Sequence, residues 1–149
     1  MRAVIQRVKT ASVAVSGEEV ARIKHGFVVF LGVEIEDQVN DLKYMVNKIS
    51  GLRAFEDDNG KMNLDLSDVG GELLVVSQFT LFGDCRKGRR PSFTAAAGPD
   101  KAQKLYNDFI KGMKQQNIKV STGVFQARME VSLVNDGPVT FLLDSKKNF

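Results

Sequence analysis

Residues 2–33 read RAVIQRVKTASVAVSGEEVARIKHGFVVFLGV. Apolar side chains alternate with polar ones over 2–8 (RAVIQRV) and 11–15 (ASVAV), the period of a half-buried strand. The segments 20–23 (VARI) and 27–33 (FVVFLGV) read as further strands, and SGEE at 16–19 reads as a turn. A connection this short cannot carry a parallel crossover, so the strands it joins pair antiparallel.

Outward from this block the period changes. After Asp37, which is available as an N-cap, Val39, Leu42, Val46 and Ile49 recur at spacings of 3, 4 and 3, as on one face of a helix. The polar cluster in FEDDNGKMN (55–63) predicts a loop or hairpin, and GELLVVSQFTLF (71–82) reads as the most buried strand. Pro99 suits the first position of a second helix, whose apolar face is Ala102, Leu105, Phe109 and Met113. Two more strands, GVFQARMEVSLV (123–134) and PVTFLL (138–143), flank the tetrapeptide Asn135-Asp136-Gly137-Pro138. The expectation is a single α+β domain over 1–149, with mainly antiparallel, barrel-like sheets and two principal helices packed outside.

Composition narrows the chemistry. With 43% hydrophobic and 26% charged residues in 149, the chain is an ordinary globular one, and no apolar run is long enough to span a bilayer. The start MRAVIQRV lacks the apolar core of a signal peptide, so a cytoplasmic protein is expected, which the single Cys85 fits. One Cys and one His cannot form a Cys/His metal cluster, and no HExxH or CxxC occurs. His25 lies in a turn-like IKHGF, so a Ser-His-Asp mechanism has no well-placed imidazole.

Three stretches carry possible chemistry. In SQFT (77–80), Ser77, Gln78 and Thr80 interrupt the end of a hydrophobic strand. Thr80 as nucleophile needs a base that is not visible nearby, whereas backbone N–H groups near Ser77 and Phe79 could stabilise an oxyanion without one. Arg86, Lys87, Arg89 and Arg90 place four positive charges within five residues of a chain whose net charge is +3. They are either a solvated loop or a phosphate-binding one. NDGP is sufficient as turn chemistry, and by itself the tetrapeptide does not separate a hairpin turn from a functional Gly-Pro.

Taken together, MRAVIQRV, SQFTLF, KGRRPSF and NDGPVTF closely resemble, in order and over the whole chain, the D-aminoacyl-tRNA deacylase family. The resemblance implies an enzyme that hydrolyses the ester between a D-amino acid and the terminal adenosine of tRNA. It implies a homodimer with active sites at the interface and no metal or organic cofactor. Ser77, Gln78, Phe79 and Thr80 would form the pocket floor. Gly137 and Pro138, joined by a cis peptide, would reach into the partner's pocket and exclude L-side chains, so that glycyl-tRNA mischarged on tRNA(Ala) is also a substrate. Arg7 would brace that motif, and Phe125 and Met129 would line the adenosine or close the site. Arg86, Lys87, Arg89 and Arg90 would meet tRNA phosphates, and the tRNA's own 2′-hydroxyl would assist the reaction. The family often has a small residue where this chain has Gln126. Two other readings remain open from the residues alone: an esterase with Thr80 as nucleophile, and a non-catalytic tRNA-binding module.

Overall fold

A computed structural model describes residues 1–149. The first strand, β1 (Arg2–Val15), is continuous where the sequence suggests two: Lys9 and Thr10 are exposed strand positions, although the pairing register shifts beside them. A two-residue turn follows, with Ser16 and Gly17 at φ 52° and 83°, the left-handed pair that matches the twist of an antiparallel hairpin. Strands β2 (Glu18–Ile23) and β3 (Gly26–Gly32) then return along β1, β2 against its second half and β3 against its first. The other edge of β1 is occupied along its length by β8 (Met129–Asp144).

The remaining strands change direction. Helix α1 (Val39–Ser50) and a small hairpin, β4 (Phe55–Glu56) with β5 (Met62–Leu64), carry the chain to β6 (Glu72–Ser77), which pairs parallel to β3. Helix α2 (Pro99–Gln115) leads to β7 (Lys119–Thr122), parallel to β6. Strand pairing therefore remains mainly antiparallel, but the β3-β6-β7 portion is parallel. Parallel strands covered on both faces are apolar throughout, which explains FVVF and LLVV. Phe27, Val29, Leu31, Leu73 and Val75 pack toward the helices; Val28, Leu74 and Val76 join Val8, Val13 and Ile23 in a second cluster. Phe109 of α2 is fully buried, so its truncation to Ala would cost roughly 3–5 kcal/mol.

Several sequence expectations need correction. Asp37 does not cap α1: it is buried, where it pairs with the Met1 ammonium and accepts a hydrogen bond from the Glu34 N–H at 2.6 Å. Gln38 takes the N-cap and forms a reciprocal capping box with Asp41. Val39 is exposed and Met45 is buried in its stead, a rotation of the apolar face by part of a turn. The strand at 71–82 ends at Ser77, and Phe79–Phe82 form a 3-10 turn. β7 occupies 119–122, ahead of the expected strand, and β8 begins only at Met129.

The largest correction concerns NDGP. Residues on both sides of it pair antiparallel with β1, Thr140 with Gln6 and Val134 with Thr10. The chain does not reverse there. The tetrapeptide is a bulge that leaves a single long strand and rejoins it.

Candidate active site

Strand β6 delivers SQFT at its C-terminal end, beside two parallel neighbours, the end at which parallel sheets place ligand sites. Strand alternation decides which backbone groups are available. The Val75 carbonyl accepts from the Gly123 N–H at 3.0 Å on the β7 side, and the Gln78 N–H donates to Leu31 O at 2.8 Å on the β3 side. The Ser77 N–H therefore points to the β7 side, where β7 has already ended at Thr122. Phe79 opens the 3-10 turn, so its N–H has no partner within the turn itself.

Beside these groups lies a cleft of about 590 Å³, lined mainly by apolar side chains. Ser77, Gln78 and Phe79 line it, and so do Phe125 and Met129. Tyr106 backs the wall: its hydroxyl donates to Val75 O at 2.8 Å and its ring lies 5.8 Å from that of Phe125. Gly123 leaves room for the Met129 thioether, which a Cβ there would strike. Ala97, Pro99 and Ala102, from the start of α2, complete the opposite side. Sequence reasoning used Pro99 and Ala102 only as helix markers, because small apolar residues carry no chemical signature. Gln126 also lines the cleft, at φ 63° in the turn closed by the Ala127 N–H on Val124 O.

Thr80 falls outside the cleft lining. Its hydroxyl is exposed and accepts a hydrogen bond from the Gln78 side-chain amide. No imidazole, carboxylate or amine hydrogen-bonds it. His25 is an exposed bend residue that packs edge-on against Phe55.

Gly137, Pro138 and Arg7 form a second group, apart from the cleft of their own chain. The Gly137-Pro138 peptide is cis, and both residues are exposed. The bulge is tied at its base by the Asn135 side chain, which accepts from the Val139 N–H at 2.9 Å. Arg7 is buried beneath it, donating to Asp136 O at 3.3 Å and to Ala54 O at 2.7 Å, with the Asp136 carboxylate at 3.4 Å. Gly137 has φ +127°, and a Cβ there would lie 2.6 Å from Val139 Cγ2 and 3.3 Å from Arg7 Nη2.

The basic segment is a loop whose neck is closed by two backbone hydrogen bonds between Asp84 and Ser92, of 2.7 and 3.0 Å. Arg86 is engaged by Asp84 through a two-pronged pair at 2.9 and 2.8 Å, and its side chain holds the Asp84 carboxyl well below the usual range. Lys87, Arg89 and Arg90 are exposed and form no ion pair. The four charges thus divide into one satisfied within the protein and three free.

The chain is similar over its whole length to known proteins. A curated D-aminoacyl-tRNA deacylase of Thermosipho africanus is 62% identical over 149 residues, the full length of both chains. That of Desulfotalea psychrophila is 58% identical, again over both full lengths. A solved structure described as c-Myc DNA Unwinding Element Binding Protein superposes with a TM-score of 0.91 at 41% identity, covering 97% of this chain and 98% of that one. The family described as D-Tyr-tRNA(Tyr) deacylase matches residues 4–144. This chain belongs to that family.

Proposed function

We propose that the protein hydrolyses the ester that joins a D-amino acid to the terminal adenosine of tRNA, releasing free amino acid and tRNA and sparing the L-ester. Beyond family membership, one observation carries the mechanism: β6 ends with the Ser77 N–H turned past the end of β7, and the Phe79 N–H opens the next turn, beside a largely apolar cleft that holds no candidate base. An aminoacyl ester is already activated, so donors aimed at the developing oxyanion and a fixed approach for water suffice. Each such donor contributes about 10²–10³ in rate. The proton demand falls on the substrate's own ribose 2′-hydroxyl. Phe125 and Met129 hold the adenosine, and Gln78 lines the cleft beside them.

Chiral selection is the work of Gly137 and Pro138 in a homodimer. The bulge is anchored from below by Arg7 and Asn135, yet its tip is exposed and takes no part in lining its own chain's cleft. A braced, bare glycine of this kind fits the pocket of a second copy, where it leaves space for hydrogen but none for an L-side chain. Glycine has no side chain to exclude, so glycyl-tRNA mischarged on tRNA(Ala) is also hydrolysed. Lys87, Arg89 and Arg90 contact phosphates, with Arg86 in a lesser role, and the enzyme proofreads translation in the cytoplasm.

A Thr80 nucleophile is less well supported, because Thr80 lies off the cleft lining and its hydroxyl is bonded to Gln78. Deacylation of matched D- and L-tyrosyl-tRNA by purified protein tests the reading. Release of D-tyrosine alone is expected. Equal hydrolysis of both esters, or of neither, overturns it, and binding without hydrolysis of either leaves a nucleic-acid-binding module.

A further inference from the structure

Phe79 and Phe93 are among the few large apolar side chains left exposed, at 57% and 38% of their surface. They pack on each other, with ring centroids 5.1 Å apart and planes at 66°. An edge-to-face pair fixes both rings yet leaves aromatic surface uncovered. Room for Phe93 is provided by Gly83, where a Cβ would stand 2.9 Å from Phe93 Cε1. Phe93 has no place among the residues that line the cleft, and no core cluster includes it.

Its position is informative. Phe79 lines the cleft, Phe93 touches Phe79, and Phe93 directly follows Ser92, which closes the neck of the loop carrying Lys87, Arg89 and Arg90. After Phe93, a turn closed by the Ala96 N–H on Phe93 O leads to Ala97, again at the cleft. The aromatic pair therefore bridges a cleft for the esterified adenosine and a set of unpaired cations. Base-stacking aromatics beside a cationic track are the usual chemistry for holding a single strand.

We propose that Phe93, seated against Phe79, is a stacking platform for the base of the unpaired nucleotide that precedes the esterified adenosine. This rests on the deacylase reading of the cleft. Phe93 is a positioning residue: it orients the strand and touches no reacting atom. Stacking tolerates any base, so the platform adds affinity for the single-stranded end without selecting among tRNAs.

The test compares wild type, Phe93→Leu and Phe93→Tyr on two substrates, a D-tyrosyl minihelix RNA with an unpaired CCA end and D-tyrosyl-adenosine, which lacks the preceding nucleotide. Binding is followed with the same minihelix carrying a non-hydrolysable 3′-amide and fluorescent pyrrolocytidine next to the terminal adenosine. Phe93→Leu should raise KM and Kd for the minihelix roughly five- to hundredfold and remove the stacking-dependent quench. Its turnover of D-tyrosyl-adenosine should stay at the wild-type level, and Phe93→Tyr should retain both quench and KM. Equal losses on both substrates would make the ring merely structural and overturn the proposal. So would an unchanged quench, or a shift of Phe93→Leu to monomer in sedimentation, which would mark a contact between copies. A wild-type protein that cleaves neither D-substrate but shows the Phe93-dependent quench would sink the deacylase reading and leave the platform standing.

Discussion

Gly137 is the residue at which backbone geometry and proposed chemistry coincide. Its φ of +127° and the 2.6 Å separation from Val139 Cγ2 leave no room for a methyl group, whatever the substrate. Gly137→Ala is expected to lose about 1–3 kcal/mol of stability and at least tenfold in D-tyrosyl-tRNA hydrolysis, checked by thermal melting and turnover at one temperature. Full activity in a folded variant would remove the bulge from the mechanism. Thr80 makes the opposite case. Thr80→Ala should keep most of the activity, whereas a terminal 2′-deoxyadenosine should depress it strongly; an acyl-Thr80 adduct trapped for mass spectrometry would reverse the assignment. The SQFT and Gly-Pro motifs could be found in the sequence because each carries an unusual residue type in a fixed string. Ala97 could not be assigned to the cleft, since a small side chain becomes meaningful only after folding.

Among the elements, the loop between Asp84 and Ser92 shows why a charge count is not an affinity. Arg86 is bound to Asp84, whose carboxyl is held low by that same side chain, so the pair stays ionised from neutral into acidic pH. Replacing Lys87, Arg89 and Arg90 together by Gln should reduce the salt dependence of tRNA binding by about one unit of slope for each phosphate that is no longer neutralised. Arg86→Gln alone should change the slope least. Asp84→Asn should free Arg86 and steepen it by about one unit, if the liberated guanidinium reaches a phosphate. Chiral selectivity should survive all of these changes, because phosphate contacts position and do not discriminate. Helices and apolar strands were legible from their periods, although α1 is rotated so that Met45 replaces Val39 in the core. Strand β7 escaped notice because KVST is short and mixes polar with apolar residues. NDGP suggested a hairpin because turn residues announce a local bend, while only the long-range register with β1 shows that the chain continues forward.

At the scale of the whole molecule, the cleft and the bulge lie apart within one chain, and a second copy is what brings them together in the proposed mechanism. Antiparallel pairing along β1 holds the bulge in place, and the parallel β3-β6-β7 portion presents the cleft. Loss of dimerisation should therefore abolish activity even when the monomer is folded. The most direct measurement mixes two inactive variants under conditions of proven subunit exchange. One carries Gly137→Ala, and the other carries Phe125→Ala with Met129→Ala to disable the cleft. A mixed dimer keeps one intact cleft facing one intact bulge, so D-tyrosyl-tRNA hydrolysis should return toward the level of one site per dimer. Exchange without any recovery would contradict a site completed across two copies.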